Sequence, residues 1–470
     1  MQMKKAMVIS MIAAALSATA VTPVLAQSAS AMQAVQIGSK TFVVNANPVA
    51  IRTITNAGVT LASVRDIVNA IGATLHINKD GTVVVKFGQN TVKLKAASKT
   101  ITVNGVAASL QHPAKVVSYT TFIEPAAFVK ALGGTYSADA ESASITTIEL
   151  LAGAEYAVWI NSSKLLVSNT NETGREDYLV DAATGKYELL LTSSDTSDLI
   201  VSPDGMSVAY SDANGAVYTI DLSTKKSVQV STDSSIKNEL QWSQDGSSLF
   251  FLQGDKSSVI AKLKLADGTV SKVLEDKVDY KANLEVSADG TKFAYYVLKQ
   301  PKVTADSSKE VELDDVAIDA TGTEPQIYYY DSAVAGNKPV QLTKDANDKV
   351  FLELAADGSK VNYVSVSADD ASVGQLVSVD NTGSSSTTVF ADKDVYQLVQ
   401  GGSKLYLLTA DGDSTNAIYE IDSSTGASKL ITTVSDSVSE LIVSGNANFA
   451  ALLDGQLAVS VNGKWKNITN

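Results

Sequence analysis

Few side chains in this 470-residue chain are suited to covalent or metal chemistry. There is no Cys, and His occurs only as His76 and His112. That removes thiolate metal sites, disulfides and a cysteine nucleophile, and leaves little for His-based catalysis. No Gly-x-Ser-x-Gly string marks a serine nucleophile elbow. No phosphate-cradling or dinucleotide-binding glycine string is present either. His76 falls in a strand-like stretch and His112 precedes Pro113, each with a structural rather than a catalytic setting. What is plentiful is carboxylate, with 51 Asp and Glu. Glu310, Glu312, Asp314, Asp315, Asp319 and Glu324 crowd one stretch, and Asp411-Gly412-Asp413-Ser414-Thr415-Asn416 is an incomplete calcium-loop pattern. Oxygen donors alone suit Ca²⁺, so Glu312, Asp314, Asp315 and Asp319 form a weak calcium candidate, although solvated loop charge is the commoner outcome for such a stretch. Tyr328, Tyr329 and Tyr330 follow directly; a strand with one solvated face would expose Tyr329 or its neighbours. With Asp314, Asp315 and Asp319 they form the preferred binding surface, because long loops on rigid scaffolds tend to carry function. No cofactor is expected.

The chain must first place these residues. Its composition is 45% hydrophobic and 19% charged, an ordinary globular balance. Residues 1–26 read as a secretory leader: Lys4 and Lys5, then an apolar run, then Val24-Leu25-Ala26 at a cleavage position. No Cys follows for lipid attachment, and no later run is apolar enough to span a bilayer. Losing Lys4 and Lys5 takes the formal net charge from −14 to −16. Such a surface repels phosphate backbones, which argues against nucleic-acid partners. The balance suits an exported Gram-positive-type envelope protein, secreted or associated with the wall.

After a linker at 27–36, residues 37–148 contain one unit twice. Val64, Ile67, Val68 and Ile71 fall on one helical face. Phe128, Val129 and Leu132 repeat that face 61 positions later. Gly72 and Gly133 follow the helices as left-handed terminators, and Pro125 opens the second. Alternating runs Thr82–Phe87 and Thr91–Leu94 read as a hairpin, giving a small duplicated α+β domain. Gly58 to Ala73, Val103-Asn104-Gly105 and Ala131-Leu132-Gly133 resemble the stalk-like domain named after the N-terminal region of copper amine oxidases. Ala62-Ser63 stands where that family usually has Pro, and Arg65 keeps its Arg. The resemblance implies no copper chemistry, since the necessary His cluster is missing.

Residues 149–470 carry a longer repeat. Val201-Ser202-Pro203-Asp204-Gly205 is echoed by Trp242-Ser243-Gln244-Asp245-Gly246, by Val286-Ser287-Ala288-Asp289-Gly290 and by Leu354-Ala355-Ala356-Asp357-Gly358. With weaker copies the turn slots fall at 162, 205, 246, 290, 358, 402 and 446. All but one interval match the ~40–45-residue period of a four-stranded propeller blade. The exception carries an insertion at about 302–325. Trp159 and Trp242 share one slot, which points to packing between blades. The Ser-Pro-Asp-Gly repeat resembles TolB-like propellers, which implies a protein- or peptide-binding ring.

The expected architecture is therefore mainly β, a small duplicated α+β domain followed by a seven-bladed β-propeller. The expected role is a non-enzymatic scaffold for an unidentified protein, peptide or cell-wall polymer, with the first domain as spacer or second contact. The alternatives are a carboxylate-dependent polysaccharide lyase or hydrolase using the propeller channel, and a purely structural envelope component. Paired acids on innermost strands would favour the enzyme.

Overall fold

The computed structural model describes residues 35–470, apart from 57, 140–141, 173, 232, 306–315, 368–372 and 462. The expected leader lies outside these residues, as do Glu310, Glu312, Asp314 and Asp315. Among the described residues no helix is long and apolar enough to cross a membrane.

The first domain holds two short helices, α1 (Val64–Ala70) and α2 (Pro125–Ala131). Ser63 caps α1 by accepting the Asp66 N–H, satisfying one of the donors a helix start leaves open. Arg52 grips Asp66 with two guanidinium nitrogens, at 2.8 and 2.7 Å, and so ties the helix to the strand Asn47–Asn56. Pro125 stands in the first turn of α2, and Gly72 and Gly133 take positive φ just beyond the helices.

The two sequence copies are interleaved rather than stacked. The hairpin after α2, Thr135–Ala138 with Ala143–Thr146, joins the first copy's opening strand Ile37–Val44 through a parallel pairing. The hairpin after α1 leads into a five-stranded sheet with the second copy's opening strands. Ile51 and Ile67 of one copy and Phe128 and Val129 of the other are consequently fully buried in a single core. Removing each such side chain from water contributes roughly 1.5–3 kcal/mol.

Seven four-stranded antiparallel sheets follow, each built from strands in chain order. We number these blades 1–7: Tyr156–Ser193, Ile200–Gln229, Lys237–Glu275, Lys281–Gln341, Asp348–Phe390, Val395–Ser435 and Val438–Asn467. The first strand of each blade touches the first strands of both neighbours, and blade 1 touches blade 7, so these strands form a closed inner ring. Closure uses no exchanged strand. Leu151 makes an isolated parallel bridge to Thr469, and the Gly153 N–H donates to the Asn470 carbonyl at 2.7 Å.

Both faces of a blade are covered by its neighbours. Ala209 and Val217 of blade 2, for instance, pack with Leu249, Phe251 and Leu263 of blade 3. Trp242 Nε1 donates across the blade boundary to the Ile200 carbonyl (3.1 Å), and Trp159 Nε1 does the same to Ile442 (3.3 Å). At the Asp-Gly turns the aspartate accepts a serine hydroxyl and a backbone N–H, as Asp204 does from Ser202 and Met206. Gly205 there has φ +68°, and a Cβ would lie 2.5 Å from the Ile160 carbonyl of blade 1. The turn therefore needs glycine both for its backbone conformation and for close packing. The insertion within blade 4 begins and ends as a hairpin, Lys302–Ala305 with Val316–Asp319.

Candidate functional site

Three consecutive inner strands share a local design that brings acids to the centre of the ring. Each opens with a lysine whose side chain is fully enclosed, Lys237, Lys281 and Lys349. Lys237 Nζ donates to the carbonyls of Gly215 (2.7 Å) and Ser235 (2.8 Å) and pairs with Asp233 at 3.0 Å. Lys281 reaches Ser258 O (2.8 Å) and Asp276 (2.7 Å); Lys349 reaches Asp345 O (2.7 Å) and Asn347 O (2.6 Å). An ammonium taken out of water needs this many acceptors and a counterion. Two residues on, Glu239, Asn283 and Phe351 adopt positive φ of 54°, 51° and 55°. At the same place the pairing register shifts, the mark of a bulge. A bulge bends the strand and re-aims the side chains that follow. Those are Gln241, Glu285 and Glu353.

Three acids thus stand on neighbouring inner strands. Glu239 Oε2 accepts the Leu284 N–H of the next blade at 2.9 Å, and Glu353 Oε1 accepts the Gln400 N–H at 3.1 Å. Glu239 and Glu353 therefore each tie one blade to the next through one oxygen. Burial pushes the Glu353 carboxyl up to about 7, against the pull of the Gln400 N–H. Burial also lifts Glu285 well above the ordinary carboxylate range, and the charges of Glu353 and Glu239 add to this while a hydrogen bond with Gln241 opposes it. Gln241 Oε1 is buried without a hydrogen-bond partner; a protonated Glu285 would supply the donor. Two neighbouring carboxyls that burial raises above the ordinary carboxylate range are suited to general acid–base work.

The residues expected from sequence lie elsewhere. Tyr329 is 5% exposed and packs with Tyr296, Ile327 and Tyr363 between blades 4 and 5. Tyr328 is half-buried and stacks on Tyr295 (6.1 Å between centroids), and half-buried Tyr330 lies 6.4 Å from Phe293. Of the expected run Tyr329 is the buried member, while its neighbours Tyr328 and Tyr330 keep partial exposure, because this sheet has a neighbour on each face. Asp319 is exposed at the hairpin's end, its carboxyl held below the usual range by the hydroxyl and N–H of Thr321. Of the weak calcium set, only Asp319 is among the described residues, and among those no group of three or more His, Asp or Glu is placed to hold a metal. His76 sits on an exposed strand, and His112 pairs through Nδ1 with Glu124. Asp411 is ion-paired with Lys393.

Sequence reasoning passed over Glu239, Glu285 and Glu353. Their signal was available in the repeat: five residues before the turn glycine, Ile200 of blade 2 is replaced by Gln241, Glu285 and Glu353 in blades 3 to 5. Acids in a column that holds Ala157, Ile200 and Leu441 in blades 1, 2 and 7, and glutamine (Gln241, Gln397) in blades 3 and 6, need their own explanation.

A duplicated α+β domain joined to a ring of four-stranded blades defines the molecule as a stalk-domain β-propeller protein. Residues 43–147 match the copper amine oxidase N-terminal domain family. No curated protein sequence matches the chain. Among solved structures, an oligogalacturonate lyase in complex with manganese is similar at 13% identity, TM-score 0.48, over 68% of this chain and 86% of the lyase. TolB from Acinetobacter baumannii is similar at 16% identity, TM-score 0.38, over 76% of this chain and 77% of TolB. Pyrococcus horikoshii acylaminoacyl peptidase is similar at 13% identity, TM-score 0.48, over 69% of this chain and 54% of the peptidase. These likenesses concern fold. They also correct the expectation of a non-enzymatic chain: proteins similar in fold include a lyase and a peptidase.

Proposed function

We propose that this chain is an exported cell-envelope protein whose propeller holds a wall polymer at the centre of its ring and cleaves it by carboxylate chemistry, as a polysaccharide lyase or hydrolase. The observation that supports this reading is the placement of Glu285 and Glu353 on adjacent inner strands, within electrostatic reach of each other. Glu353, poised near 7, exchanges a proton with the substrate at neutral pH. Glu285, its carboxyl raised by burial and by the charge of Glu353, is the donor to a leaving oxygen. Glu239 and Gln241 fix the neighbouring backbone and side chain. The stalk domain serves as spacer or second contact.

The test is turnover of purified wall polysaccharides by the full chain, with Glu285→Gln and Glu353→Gln as comparisons. The expected result is product formation that either substitution lowers about 10²–10⁴-fold, the usual worth of a positioned acid or base. Turnover unchanged in both variants, or no polymer cleaved, overturns the reading.

A further inference from the structure

A cleft of about 1210 Å³ opens between the stalk domain and blades 1 and 7. Its walls include Asn69 and Phe87 from one side and Lys186, Tyr187 and Lys466 from the other. Lys466 differs from the enclosed lysines of the inner strands. Fully buried Lys237, Lys281 and Lys349, and half-buried Lys292 and Lys393, each have a carboxylate partner. Half-buried Lys466 has only the Ala183 carbonyl, at 2.6 Å. Asp181, near enough to be felt, is turned to the hydroxyl and N–H of Thr184. A partly desolvated ammonium without a counterion is unfavourable, and burial lowers its proton affinity accordingly. Lys186, exposed on the same wall, makes no ion pair with a described acid. Glu149 is the one carboxylate lining the cleft. In a chain of net charge −14 this wall is a local reversal of sign.

We propose that this cleft binds an anionic polymer segment, a chain bearing carboxylates or phosphates, whose charged group supplies the counterion Lys466 lacks while its backbone lies along Tyr187 and Phe87. The site is separate from the channel acids and does not depend on their role.

The experiment is calorimetric titration of the full chain with a uronate hexasaccharide, a glycerol-phosphate hexamer and a neutral glucan hexamer. The expected result is saturable binding of at least one anionic hexamer, none of the neutral one, and weakening by about tenfold or more in Lys466→Gln and in the exposed Lys186→Glu. Which anionic hexamer binds identifies the source of the charge. Loss of binding in the two lysine variants, both on the cleft wall and neither on an inner strand, separates this site from the channel. No saturation by either anionic hexamer, equal binding of the neutral one, or unchanged affinity in both lysine variants overturns the proposal.

Discussion

The side-chain amide of Asn47 lies against the backbone of Asn467 as a neighbouring strand would. Asn47 Oδ1 accepts the Asn467 N–H at 2.6 Å, and Asn47 Nδ2 donates to the Asn467 carbonyl at 2.9 Å. Asn467 ends the outermost strand of blade 7, whose edge groups would otherwise face water or another chain. One amide from the stalk domain therefore both caps a sheet edge and fixes the cleft between the domains. Asn47→Ala is expected to cost about 1–3 kcal/mol of docking, seen in small-angle scattering as a larger and more variable radius of gyration. An unchanged scattering profile would speak against this link.

The enclosed lysines make a sharper stability prediction. Lys349→Met leaves the buried end of the strand without its ammonium: the Asn347 carbonyl loses its donor (2.6 Å) and the half-exposed Asp345 carboxylate its ion-pair partner (3.0 Å), while the Asp345 carbonyl keeps Gln326 Nε2 at 2.9 Å. A loss of about 1–3 kcal/mol is expected in urea unfolding, against less than about 0.5 kcal/mol for exposed Lys344→Ala. Equal midpoints for the two variants would remove the lysines from the account of how the inner strands are held.

Tyr329 separates packing from surface recognition. With Tyr329 5% exposed between blades 4 and 5, Tyr329→Ala should cost about 3–5 kcal/mol of stability. Thermal unfolding checks this; an unchanged midpoint would return the residue to the surface.

How far the sequence could be read follows from these cases. The Asp-Gly turns were legible because turn chemistry is local: Asp204, Gly205 and Ser202 need only each other and the next few residues. Helices α1 and α2 were legible for the same reason, through their apolar spacing and glycine terminators. The interleaving of the two stalk copies was not, since the pairing of Val43 with Ser144 depends on contacts a hundred residues apart. Tyr329 was misread because alternation implies one wet face, whereas a blade is covered on both. Glu285 and Glu353 were invisible as a pair: 68 residues separate them, and ring closure brings them together.

The raised carboxyls predict the direction of pH dependence. A carboxyl held higher in the folded than in the unfolded chain binds more protons when folded, so its contribution falls as pH rises. For Glu353 the window runs from the model-peptide value near 4.5 to about 7. Stability should decline across that window by on the order of 2 kcal/mol. Glu353→Gln, which cannot ionise, should flatten the decline; a parallel decline in the variant would assign it to other groups.

The most direct test is the titration of Glu353 itself, followed by the carboxyl resonance that Glu353→Gln removes. A midpoint near 7 in the intact chain is what an enclosed acid on the inner ring requires. A midpoint between 4 and 5, the range of a solvated glutamate, would contradict it and leave the centre of the propeller without its proton-transfer group.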